Sequence, residues 1–204
     1  MPTNNIANNY VNLLGSYIPF VSGNWYKSGG PLYYGATLTP GTIATSGLRF
    51  LPFFVSAPSA TFTDIAICMS SASAQNVNMG IYGSNTNNTR PIGNPLPNST
   101  SGSISTNAIG PRPFTFPSPI TLTQGIYWLG ITTSGTTSMI CTSGITAGSE
   151  SRASFGLTTI QAFDDNLIAG WIQTFTYGTT LPTVGTLSAL ASGLQVLLAW
   201  LKAQ

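Results

Sequence analysis

The chain has 204 residues, of which 42% are apolar and only 5% charged, with a formal net charge of +2. The apolar content supports a packed interior and excludes wholesale disorder, and the length is short for two ordinary domains. A charged fraction so far below the roughly 25% of an average soluble protein excludes a surface kept apart from its neighbours by charge repulsion.

Residues 1–31 stand apart from the rest. Ile6, Tyr10, Leu13, Leu14 and Tyr17 recur at helical spacing, and Pro19, Gly23, Gly29, Gly30 and Pro31 then block any long regular element. The expectation is an N-terminal arm or short helix, either reaching to a neighbouring subunit or folded back on its own domain. This stretch has no basic region followed by a continuous apolar run, so synthesis in a cytoplasm without a cleaved leader is expected. Trp25, Tyr26, Tyr33 and Tyr34 cluster where the segment meets the domain. Such rings stack on sugars in some proteins, but their ordinary role is packing against a core or a partner. Together with Tyr10, Leu13, Leu14 and Tyr17 they are the candidate assembly contacts.

Residues 32–204 carry a β pattern: β-branched and aromatic runs separated by Gly, Pro, Asn and Ser. The predicted strands are Leu48–Val55, Ala60–Met69, Val77–Tyr82, Phe114–Phe116, Ile120–Leu122, Ile126–Thr132, Met139–Thr142, Ser154–Thr159, Ile172–Tyr177 and Leu194–Leu201. Strict alternation puts Phe62, Asp64, Ala66 and Cys68 on one face of the second run, and Thr63, Ile65, Ile67 and Met69 on the other. Residues 126–131 carry large apolar groups at both parities, as a strand covered on both sides requires. Asn85–Asn107, with Pro91, Pro95 and Pro97, is expected to be a long surface loop with one edge strand near Ser103–Ser105. Cys68 and Cys141 sit in apolar runs and are expected to be buried free thiols. The leucines of the last stretch fit a helical stripe or a buried final strand equally well. Many short strands with turns between them point to a β-sandwich or barrel.

Chemistry is scarce. There is no histidine, which removes Ser-His and Cys-His nucleophilic pairs and His-based zinc sites. The only carboxylates are Asp64, Glu150, Asp164 and Asp165; the adjacent pair with Asn166 suits a turn better than catalysis or calcium binding. No enzymatic activity, cofactor or metal is expected. The six cations (Lys27, Arg49, Arg90, Arg112, Arg152 and Lys202) are scattered singly, which speaks against nucleic acid. Leu187–Leu201 is too short and interrupted for a membrane span.

One resemblance adds to this reading. The succession LRFLPFFV, ATFTDIAICMSS, VNMGIYGSNTN, ITLTQGIYWLGIT, TTLPTVG and QVLLAWLK resembles the jelly-roll domains of tailed-bacteriophage virion proteins, both capsid decoration (cement) proteins and tail-fibre types. Gly80-Ile81-Tyr82 and Gly125-Ile126-Tyr127-Trp128-Leu129 carry most of it. It covers roughly Leu38 to Leu201 and implies that the domain of residues 32–204 is an antiparallel jelly-roll β-sandwich, with a homotrimer and a strand at the C-terminus. The expected function is a structural virion protein on the outer particle surface, a decoration protein contacting the major capsid protein or other virion proteins. The alternative is a tail-fibre or receptor-binding protein whose loops contact host surface glycan. A free carbohydrate-binding module is a third reading, without the attached enzyme or secretion signal that such modules usually have.

Overall fold

The computed structural model describes residues 20–29, 37–44, 47–143, 168–178, 180–191 and 196–204. Among them are twelve strands and no helix. They are β1 (Trp25–Lys27), β2 (Thr37–Ile43), β3 (Leu48–Met69), β4 (Asn76–Ser84), β5 (Pro91–Pro95) and β6 (Ile104–Ser105). After these come β7 (Gly110–Thr133), β8 (Thr137–Ser143), β9 (Ile168–Gln173), β10 (Ser188–Ala191), β11 (Val196–Leu197) and β12 (Trp200–Ala203). The protein is all-β, as the composition and patterning require. The C-terminal stretch resolves to strand in its described part.

All described pairings are antiparallel, and the main path runs β1-β12-β3-β7-β4-β5. Its spine is the β3–β7 ribbon, paired from Arg49↔Ile131 to Met69↔Gly110. That ribbon is not straight. Nine residues of extended chain span about 30 Å, yet the rings of Phe53 and Phe62 meet edge to face at 5.4 Å. Strand β3 therefore doubles back between them. The register locates the corner: residues 56–58 stand opposite Gln124 alone, and residues 116–119 stand opposite Thr63 alone. Extra residues on alternate strands bend the ladder and raise its local twist. Phe20, Phe53 and Phe62 fill the angle, with Phe20 at 6.3 Å from Phe53 and 5.3 Å from Phe62.

The corner corrects two sequence expectations. Two predicted runs fuse into β3, and three fuse into β7, because a bulge lets a ladder continue through residues that read as breaks. It also changes the face assignment. The second irregularity, at Phe62/Asp64, reverses the parity, so Phe62 shares the interior with Ile65, Ile67 and Met69 rather than a face with Asp64, Ala66 and Cys68. Three further strands, β1, β2 and β10, were not among the predicted runs. The run 172–177 ends as strand at Gln173, and Pro91–Pro95 is a strand rather than loop. Predicted strand Ser154–Thr159 lies outside the described residues.

The half of the ribbon holding Leu48–Val55 and Gly125–Ile131 is covered on both sides over residues 128–131, as expected, while Ile126 and Tyr127 are half-buried. Its outer face carries Phe50, Trp128 and Tyr82, all fully buried. Residues 174–178 and 180–187 cross that face without forming strand. Asn78 Nδ2 donates to Gly178 O at 3.2 Å, Tyr82 Oη donates to Pro182 O at 2.9 Å, and Val184 N donates to Gly93 O at 2.8 Å. Leu181 seats over Gly80, where a Cβ would come within 2.6 Å of its Cδ1. A larger residue at that position would have to displace the Leu181 side chain.

Several strands at or near the sheet edges carry prolines. Pro40 lies in β2, Pro91 and Pro95 in β5, and Pro111 and Pro113 in the first half of β7. Proline cannot donate to a ladder, so each fits where its nitrogen faces away from the paired strand. Missing donors deny a second sheet the template it needs to pair. Replacing Pro111 and Pro113 together by valine restores two edge donors. The expected result is concentration-dependent aggregation by light scattering, with an unchanged circular dichroism spectrum.

Candidate functional site

The side chains with most chemistry gather on the outer face of the other half of the ribbon. Strand β1 pairs with β12, β12 with β3, and β3 with β7, which lines up Trp25, Lys202, Asp64 and Thr115 across four strands. Directly opposed residues share a face. Trp25 is 41% exposed, and Lys202 Nζ sits 6.0 Å from its ring centroid. The same ammonium lies 4.0 Å from Asp64 Oδ2. Asp64 is almost buried; its Oδ2 accepts from Thr63 Oγ1 at 2.6 Å and its Oδ1 from Thr115 Oγ1. Hydroxyl donors of this kind offset the loss of water around a carboxylate. The next row on the same face is Lys27, Trp200, Ala66 and Pro113.

Local sequence explains the placement. In Trp25-Tyr26-Lys27 and Trp200-Leu201-Lys202 the alternation sends the outer residues to one face and the middle one inward. Leu201 is fully buried, and Tyr26 stacks on Phe20 at 4.7 Å while its hydroxyl accepts from Val21 N. Of the candidate assembly residues, Trp25 therefore faces outward and Tyr26 packs inward. Tyr10, Leu13, Leu14, Tyr17, Tyr33 and Tyr34 lie outside the described residues, as do Glu150, Asp164 and Asp165. Sequence reasoning missed Asp64, Lys202 and Trp200 as neighbours of Trp25. Their register across β1, β12 and β3 joins segments far apart in the chain, and nothing local signals it.

Elsewhere the polar groups serve structure. The stretch after β4 is knitted down: Asn85 Oδ1 accepts from Thr89 N and Arg90 N, and Ser99 Oγ accepts from Ile81 N. Trp171 Nε1 donates to Thr89 O at 2.8 Å, and Trp128 Nε1 donates to Ser84 Oγ at 2.9 Å. An open hollow beside the corner is lined by Phe20, Ala57, Ser59, Ala60, Thr61 and Gln204 and carries no titratable side chain. Among the described residues no group of three or more His, Cys, Asp or Glu is placed to hold a metal.

Cys68 and Cys141 are free. Burial pushes the Cys141 thiol up to about 11, against a smaller downward pull from Arg49, and burial also raises Cys68. The Tyr82 hydroxyl is raised strongly by burial. A thiol whose folded pKa exceeds its unfolded value favours folding below the unfolded value and loses that contribution as pH climbs through the folded one. Stability is therefore expected to fall between about pH 9 and 11. Cys141→Ser should flatten that decline in chemical denaturation series, and a thiol reagent at pH 8 should reach Cys68 well before Cys141.

No family model, curated protein or solved structure matches this chain.

Proposed function

We propose that this chain is a non-enzymatic structural protein of a bacteriophage virion, a homotrimeric jelly-roll decoration protein that binds the outer surface of the head and reinforces it. The observation that carries this reading is the placement of its chemistry. Trp25, Lys202, Asp64 and Thr115 line up across one sheet face, while the hollow beside the corner has no titratable side chain. A sheet face with an exposed indole suits association; turnover needs converging groups in a cleft. Two further features support it. Prolines in β2, β5 and the first half of β7 remove ladder donors from several strands, which disfavours growth of the assembly as a fibre through those edges. The ribbon doubles onto itself with aromatic residues in the angle, which is how a jelly roll makes two facing layers from long strands.

The mechanism is linkage. A protein that binds only the assembled shell stabilises it by about 2.7 kcal/mol at a free concentration one hundred times its dissociation constant. The test is a labelled antibody against this chain applied to intact virions and read by electron microscopy. Label spread over the head is expected. Label confined to the tail transfers the protein to the receptor-binding class, and virions without label refute a place on the particle surface.

A further inference from the structure

On the face that carries Trp25 and Lys202, the β1–β12 pair also presents a finer pattern, in which Lys27 and Trp200 take part. Trp25 faces Lys202 and Lys27 faces Trp200. On the shared outer face, indole and ammonium thus alternate at the four corners of one small patch. These are both lysines of the chain and two of its four tryptophans, brought together by two strands of three and four residues. Trp25 is 41% exposed and the Lys202 side chain 37%, while Trp200 and Lys27 are half-buried.

Indole faces are apolar and electron-rich, and stack on the C–H faces of sugar rings. Ammonium groups between them attract carboxylate, and that of Lys202 also lies 6.0 Å from the Trp25 ring centroid. One anion already lies beside the patch: Asp64 is close to Lys202 and is bound by two hydroxyls. The chain has only three other carboxylate side chains, so a second copy offers little side-chain negative charge to complement the lysines. Single-stranded nucleic acid needs a basic track along its backbone, and the described arginines lie on other strands or loops. We infer that the β1–β12 face is a binding site for an acidic polysaccharide, with sugar rings on Trp25 and Trp200 and uronate carboxylates paired to Lys27 and Lys202. This holds wherever on a particle the chain resides.

The test is titration of the full-length protein with a short oligogalacturonate, followed by tryptophan fluorescence and calorimetry. Maltohexaose, an oligothymidylate and a glutamate-rich peptide serve as comparison ligands. The uronate is expected to bind with an affinity that falls as salt rises, and maltohexaose more weakly. Trp25→Ala should weaken uronate binding by about tenfold and leave the melting temperature unchanged, because the ring is at the surface. Lys27→Gln should weaken it and flatten the salt dependence. Lack of uronate binding, equal binding by both variants and the parent, equal binding of maltohexaose, or tighter binding of the oligothymidylate or the peptide would each overturn the assignment. Virion labelling reads out independently of all these, so either proposal can fail alone.

Discussion

Phe62→Ala is expected to cost about 3–5 kcal/mol of folding stability, the largest single loss among the side chains at the corner. Phe62 is fully buried. Its ring meets Phe53 at 5.4 Å and Phe20 at 5.3 Å, both edge to face. These three residues come from three places: the first half of β3, its second half, and the segment before β1. Removing the ring leaves a cavity where the two halves of the ribbon meet, and the bulged corner cannot collapse to fill it without breaking register. Phe114, on the inner face of β7 but only half-buried, should cost about 1–2 kcal/mol under the same substitution. Midpoints of urea unfolding at constant slope separate the two. A double-mutant cycle between Phe53 and Phe62 should return a coupling of about 0.5–1.5 kcal/mol. Equal losses for Phe62 and Phe114, with no coupling, would contradict the doubled-back ribbon.

The second large effect belongs to Leu181. It is 4% exposed and is the apolar anchor of residues 180–187 over Gly80. Leu181→Ala is expected to cost about 2–4 kcal/mol. The loss is local in origin. Hydrogen bonds from Asn78, Tyr82 and Val184 hold the backbone of this segment, yet each such bond contributes only about 1 kcal/mol net. Without the leucine, the segment is expected to open below the global unfolding transition and uncover Tyr82 and Trp128. Limited proteolysis within residues 174–187 should accelerate markedly, with a red shift in tryptophan emission. A substitution that moves the unfolding midpoint by less than about 0.5 kcal/mol, with cleavage unchanged, would show that the segment adds little to the fold.

The class of the fold was legible because it rests on local signals. In the middle of the chain, beta-branched and aromatic runs broken by Gly, Pro and Asn leave little room for helices, and residues 126–131 carried large apolar groups at both parities. The boundaries were not legible, for a physical reason. Pro111, Pro113, Pro117 and Pro119 look like breaks to any local reading, yet the first two lie where no second strand pairs among the described residues and the last two in the unpaired bulge, so neither pair costs the ladder a bond. Whether an edge is open depends on strands far away in the chain. Face assignments failed at the same kind of place: one bulge at Phe62/Asp64 reverses every residue on its N-terminal side relative to those beyond it. The outer site was half legible. Trp25 was visible as an aromatic near the domain junction, but the lysines looked scattered because Lys27 and Lys202 stand at opposite ends of the sequence. Only the β1–β12 pairing makes them neighbours. Tyr26, grouped with Trp25 by proximity in the chain, turned inward as alternation demands.

The most direct check on the proposed homotrimer is the mass of the protein in solution. Size-exclusion chromatography with light scattering at tens of micromolar should give about 64 kDa, three times the 21.3 kDa of one chain. A homogeneous peak at the mass of a single chain across that range would contradict the account.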